Sequence, residues 1–169
     1  GGGWEVALVG HYRVAIDDPR IQLGLPEVTL GLIPGGSGIT KLTRLLGLAK
    51  AQPFLVEGQL FTPAQAPSMG LVGALVAPGA DAQAALRAQA IEWINANPAS
   101  QQPWDVKGYR IPGGGPLSPS LAGAISVAPA ILRKKTRGLL PAPEYALACM
   151  VEGASVDFDT ALRIESRYL

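Results

Sequence analysis

The sequence predicts an α/β domain that ends in a helical extension, and three observations carry that reading. Short β-rich runs at 12–16, 21–25 and 71–77 alternate with stretches of helical spacing. Residues 144–169 place Leu147, Met150, Val151, Ala154, Phe158 and Leu162 at helical intervals. A length of 169 residues holds one domain with a real core and is too short for two comfortable ones.

Taken in order, Trp4-Glu5-Val6-Ala7-Leu8-Val9-Gly10 is an apolar run with one acid near its start, which predicts a buried helix beginning at Gly2 or Gly3. The runs 12–16 and 21–25 predict two strands joined by the turn Asp17-Asp18-Pro19-Arg20. Pro26-Glu27 opens a helix-like stretch that Ile33-Pro34-Gly35-Gly36-Ser37-Gly38 interrupts. From Ile39 the spacing of Leu42, Leu45, Leu46 and Ala49 predicts one helix running on to Val56, with Gly58 as its stop. Thr62-Pro63 is a helix start with Thr at the cap and Pro at the first position, and Pro67 makes that helix short or kinked. A strand over 71–77, a helix over 80–95 and a stop at Asn97-Pro98 follow. Residues 98–143, dense in Gly and Pro, read as a connector, and 144–169 as the helical extension, with Asp157 as an internal cap.

Composition excludes several function classes. Fourteen basic and 13 acidic residues leave a net charge of +1, so no overall field draws in nucleic acid or a membrane surface. The one cysteine, Cys149, forms no internal disulfide and no cysteine-based metal cage, which fits a reducing cytoplasm. No window approaches the roughly 18 apolar residues of a membrane span. The chain opens on Gly1-Gly2-Gly3 without an initiator Met, inside what reads as a functional turn, and is expected to be a piece of a longer polypeptide.

The chemistry-bearing pattern is Gly1-Gly2-Gly3-Trp4-Glu5, then Gly24-Leu25-Pro26-Glu27, then Gly31-Leu32-Ile33-Pro34-Gly35-Gly36-Ser37-Gly38. A helix leads away from Glu5, a strand pair turns, and the chain returns so that Glu27 starts the next helix. Two carboxylates then face each other across a cleft, each at a helix start where free N–H groups are available. Two carboxyl groups sharing an apolar cleft repel each other as anions, so the pair divides into one base and one acid. That division suits addition of water across a conjugated double bond. At Gly2 the absence of a Cβ lets the backbone N–H approach a substrate oxygen and hold a developing oxyanion, a donor worth about 3 kcal/mol of barrier in comparable sites.

These motifs resemble the crotonase (enoyl-CoA hydratase/isomerase) superfamily over residues 1–76, including Gly70-Leu71-Val72. Ser37, Ile39 and Pro67 depart from its commoner choices. The resemblance implies a crotonase-like spiral fold, of which residues 1–97 would be the C-terminal half. It also implies Glu5 and Glu27 as catalytic residues, Gly2 as an oxyanion donor, and an enoyl-CoA hydratase (a lyase) acting on trans-2-enoyl-CoA in fatty-acid β-oxidation. Both glutamates are present, whereas the isomerase branch usually keeps one, which favours hydration over 3,2-enoyl-CoA isomerisation. The later motifs Gln102-Pro103-Trp104-Asp105, Val151-Glu152-Gly153, Phe158-Asp159-Thr160-Ala161 and Ile164-Glu165-Ser166-Arg167 resemble the α-chain of the actinobacterial β-oxidation multienzyme, in which this tail leads towards a dehydrogenase domain. Implied with it are a coenzyme A thioester as substrate, no metal or other cofactor for hydration, a homo-oligomer or a complex with a thiolase subunit, and a cytoplasmic location.

Blander readings compete at each position. Either glutamate alone would be an ordinary first-turn acid complementing a helix dipole, and only the three glycine turns tip the pair towards function. The Pro34 to Gly38 loop lacks the Lys-Ser/Thr of a phosphate loop and admits two readings, an acyl-pocket wall or a plain helix entry. Trp4, Pro34 and Gly35 are the substrate-binding candidates. His11 has no ligand partner at suitable spacing and reads as structural. The basic run Arg133-Lys134-Lys135 reads as solvated charge, with coenzyme A phosphates as its alternative, and Trp104 and Tyr109 as anchors of the connector. An inactive fragment or assembly module is the alternative from a different class.

Overall fold

A computed structural model describes all of residues 1–169. Helix α1 (Gly2–Ala7) is followed by strands β1 (Val14–Ile16) and β2 (Leu23–Gly24), then a 3₁₀ turn at Glu27–Leu30. Helices α2 (Gly38–Leu46) and α3 (Leu48–Val56) come next, then β3 (Leu60–Phe61) and two 3₁₀ turns at Pro63–Gln65 and Pro67–Met69. Strand β4 (Ala74–Val76), α4 (Ala82–Ala96), a 3₁₀ turn at Pro103–Asp105, α5 (Ala122–Thr136), α6 (Pro141–Gly153) and α7 (Phe158–Tyr168) complete the chain.

The two early strands do not pair with each other. β1 runs parallel to β4 in the register Val14 to Ala74 and Ile16 to Val76, whereas β2 pairs antiparallel with β3. The Asp17 to Arg20 turn therefore passes the chain from one two-stranded sheet to another instead of closing a hairpin. Arg20 grips the Asp18 carboxylate in that turn and holds it down at about 2. Helix 39–56 is likewise two helices. Gly47, at φ +81°, takes a left-handed backbone that L side chains rarely adopt, and the chain breaks there. The stretch after Thr62 is kinked as its prolines require: Gln65 closes a capping box on Thr62, and Pro67 opens a second short turn. Within 98–143 the structure adds helix α5, which the density of Gly and Pro concealed.

One hydrophobic cluster runs through both ends of the chain. Trp4, Leu8 and Leu25 from the start share it with Leu42 of α2, Leu55 of α3, and Leu147 and Met150 of α6. Helix α2 is buried almost all round because α3, α6 and α7 pack against it, and even Lys41 and Arg44 are covered. Arg44 sits in the last turn of α2 and donates from Nη2 to the carbonyls of Gly153 (3.2 Å) and Val156 (3.0 Å), which fastens the α6–α7 turn to α2. Phe158 lies under its guanidinium, Trp104 stacks on Phe158, and the Tyr109 hydroxyl donates to the Arg44 carbonyl, so both expected anchors of the connector do anchor it. The basic run ends α5 and is partly paired: Arg133 meets Glu144 at 3.5 Å and Lys135 meets Glu57 at 3.1 Å. No helix is long and apolar enough to cross a membrane.

Candidate active site

Glu5 lies one turn into α1 and is 8 % exposed. Its Oε1 accepts two backbone N–H groups from the glycine loop, Gly36 at 2.7 Å and Gly38 at 2.9 Å. The loop is shaped for that carboxylate. A Cβ at Gly38 would fall 2.6 Å from Glu5 Oε1, and one at Gly36 would fall 2.8 Å from Glu5 Oε2. Neither glycine has a positive φ, so the requirement at these two positions is space. Oε2 makes no hydrogen bond within the chain.

Glu27 opens the 3₁₀ turn Glu27–Leu30, as Pro26 before it predicts, and Gly31 at φ +80° closes that turn. Its side chain is 16 % exposed, with Oε1 3.8 Å from the Gly1 nitrogen and Oε2 buried without a partner.

Gly2 is the first residue of α1, and its N–H has no acceptor within the helix. A Cβ at Gly2 or Gly3 would meet nothing within 4 Å, because both face a cleft of about 640 Å³. Gly1, Gly2, Trp4, Tyr12, Arg13 and Gln22 are among the residues that line it. Arg13 crosses the same region, donating from Nε to the Leu71 carbonyl at 2.5 Å. Of the three substrate-binding candidates, Trp4 is in the core, edge-on to Phe61 at 5.4 Å, with its indole N–H buried and unpaired. Pro34 is fully buried, and Gly35 lies under Leu169, whose Cδ2 is 2.6 Å from the place of a Cβ there.

A second carboxylate at the α2 N-terminus escaped the sequence reading. Glu165 of α7 is 1 % exposed, and its Oε2 accepts from the Thr40 N–H (2.8 Å) and the Thr40 hydroxyl (2.6 Å). Glu5 takes the first amide of α2 and Glu165 the third, so two carboxylates from opposite ends of the chain share the free N–H groups of one helix start. Burial pushes the Glu165 carboxyl above its ordinary range against the pull of its Thr40 donors, and the nearby Glu5 charge adds to the rise. Burial also lowers the Lys41 ammonium, which Glu165 and Glu5 both act to stabilise. The remaining oxygen, Glu165 Oε1, is buried without a partner. The sequence reading had Glu165 only as part of the Ile164-Glu165-Ser166-Arg167 motif, with no role attached, and a further signal was its spacing from Ala161, one turn earlier on the covered face of α7.

Comparison with known proteins finds relatives of the chain as a whole. The family model described as enoyl-CoA hydratase/isomerase matches residues 1–104. The fatty acid oxidation complex subunit alpha of Shewanella amazonensis is 34 % identical over 176 residues, covering 99 % of this chain and 23 % of the relative. That of Shewanella loihica is 34 % identical over 168 residues, with the same coverage. The chain therefore spans about a quarter of the length of the curated relatives it matches. Among solved structures, a Mycobacterium abscessus protein described as of the enoyl-CoA hydratase/isomerase kind aligns with a TM-score of 0.50 at 24 % identity, covering 99 % of this chain and 51 % of that one. That likeness speaks for the fold alone, and the fold is the crotonase-like one that the glycine and glutamate motifs imply.

Proposed function

The chain belongs to the enoyl-CoA hydratase/isomerase family, and from that membership we propose that a full-length protein carrying this segment hydrates trans-2-enoyl-CoA to 3-hydroxyacyl-CoA in fatty-acid oxidation. The observation that carries the reading is the held carboxylate of Glu5, with Oε1 fixed by Gly36 and Gly38 and Oε2 unoccupied. A carboxylate locked by two amides presents one oxygen in one direction, which is what a base aligned on a water molecule needs.

In the proposed step, Glu5 Oε2 orients the water and takes its proton as the oxygen bonds to the β-carbon of the enoyl thioester. The double-bond electrons move to the α-carbon and the thioester oxygen, where the Gly2 N–H meets the developing charge. Glu27 gives a proton to the α-carbon. The reverse division of acid and base between the two glutamates balances equally. Water is added in full, no electron changes hands, and the protons borrowed and given restore both carboxyl groups through solvent.

The size of the relatives supports two further parts of the reading. We propose that this segment is the C-terminal half of the hydratase domain followed by a helical extension, and that the rest of that domain supplies a second oxyanion amide and much of the coenzyme A site. The relatives are named as alpha subunits of a fatty acid oxidation complex, which supports association with a further subunit; we propose a thiolase in that place, as the family resemblance implies. The decisive experiment follows loss of enoyl-thioester absorbance with the full-length protein. Glu5→Gln and Glu27→Gln are each expected to lower kcat by roughly 10²- to 10⁴-fold, the usual contribution of a positioned acid or base. Full activity in both variants overturns the assignment. Turnover of a 3-enoyl thioester in preference to hydration replaces it with isomerisation.

A further inference from the structure

We propose that Glu165 of α7 is a positioning residue for Glu5, acting through the N-terminus of α2. The inference rests on the hydratase reading for its catalytic consequence and on geometry alone for its structural part. Glu5 has no side-chain partner to hold it: both of its hydrogen bonds come from amides of the loop that opens α2. The aim of Glu5 Oε2 is therefore set by where Gly36 and Gly38 stand. The backbone two residues on is held by Glu165, whose Oε2 takes both the amide and the hydroxyl of Thr40.

Three features make Glu165 a fixed point in this arrangement. It is 1 % exposed on the covered face of an eleven-residue helix, one turn beyond Ala161, which is wholly buried. The start of that helix is pinned by Asp157, whose Oδ1 accepts the Thr160 N–H at 2.9 Å, and the turn before it is pinned by Arg44 at the other end of α2. Helix α2 is thus held by the same C-terminal hairpin at both ends. Ser37, the residue preceding α2, makes no side-chain cap and sits at φ +76°, so the helix start has no local substitute for these two carboxylates. A shift of a helix start by a fraction of an ångström would carry the Gly36 and Gly38 amides, and Glu5 with them.

The test has two arms. In the isotopically labelled chain, the amide protons of Gly36 and Gly38 are expected to move upfield and exchange faster in Glu165→Ala, because the bonds to Glu5 lengthen. In the full-length enzyme Glu165→Ala is expected to lower kcat on the order of 10- to 100-fold, the scale of a small misplacement of a reacting group, with KM within twofold. Glu165→Gln, which keeps an acceptor oxygen for Thr40, restores most of both. Thr40→Val, which removes one of the two donors at nearly constant volume, produces the same changes at smaller size and serves if Glu165→Ala does not fold. Unmoved glycine amides in folded Glu165→Ala, or in Thr40→Val where the alanine variant does not fold, overturn the proposal. So does an unchanged kcat alongside moved amides. A wild-type enzyme that hydrates nothing removes the hydratase reading while the amide arm still reads the geometry.

Discussion

Glu5 Oε1 lies 2.9 Å from the amide nitrogen of Gly38, in the space a side chain at position 38 would need. A methyl group there would come within 2.6 Å of that oxygen and 2.9 Å of Leu25 Cδ1. The far end of a glutamate moves more readily than buried backbone, so Gly38→Ala is expected to expel the Glu5 carboxylate and leave the fold nearly as stable. The proposed hydration by the full-length protein should fall on the order of 100-fold with a melting temperature within a few degrees of the unsubstituted protein, as glycine-to-alanine changes in helices are worth about 1 kcal/mol at most. Gly123→Ala in α5, where a Cβ meets nothing within 4 Å, is the matched control and should leave both unchanged. Equal loss of stability in the two variants, with activity kept, would show that position 38 tolerates a side chain.

The same pair shows what the sequence made legible and what it did not. Glu5, Glu27 and the glycine turns are local patterns, and each stands where its own helix or turn start puts it. The purpose of Pro34 to Gly38 stayed open, because nothing local says that the carboxylate filling the loop comes from α1, 31 residues earlier. Glu165 was out of reach for the same reason at a larger scale, since its partner Thr40 is 125 residues away. Strands β1, β2 and β4 gave their existence but not their pairing, and β3, of two residues, was not anticipated at all. β1 joins β4 across nearly the whole first half of the chain, and no turn signal encodes that. Helix α5 was masked by Pro129 inside it and by the glycines before it.

Stability should depend on pH through Glu165. Burial raises its folded-state value above the ordinary 4.5, so the folded chain keeps a proton that the unfolded chain has already released. The stabilisation is complete below about 4.5 and is lost as pH rises through the higher folded value. Glu165→Gln cannot titrate and keeps the acceptor for Thr40. Denaturant unfolding of the parent and this variant across a pH series should show the difference moving in the variant's favour as pH rises from about 4.5. A difference that stays flat, or moves the other way, would mean that the Thr40 bonds outweigh burial at this site.

Cys149 is expected to be inert in the folded chain. It is 1 % exposed in α6, and burial pushes its thiol up to about 12, with the Glu165 and Glu152 charges adding to the rise. Thiolate is the reactive form, so both access and ionisation oppose modification. Titration with a chromogenic disulfide at neutral pH should give no native reaction and one equivalent on unfolding. Stoichiometric labelling of the native chain would place the sulfur at the surface.

Met150 joins the C-terminal helices to the first-half core, being 2 % exposed among residues that include Leu42, Leu55 and Leu147. Because α6 packs on both α2 and α3, truncating Met150 opens a cavity inside a cluster that neither part of the chain encloses alone. Met150→Ala should therefore cost about 2 to 5 kcal/mol, the usual range for a buried methionine. The cost should appear in a single transition, seen at one denaturant concentration by far-ultraviolet circular dichroism and by tryptophan emission. Trp4, in the same cluster, reports the N-terminal side, while Trp104, stacked on Phe158, reports the C-terminal side. Two separated transitions would show that α6 and α7 unfold apart from the rest. Glu165 would then leave Thr40 before the domain melts, and the holding of Glu5 would become a local equilibrium independent of global stability.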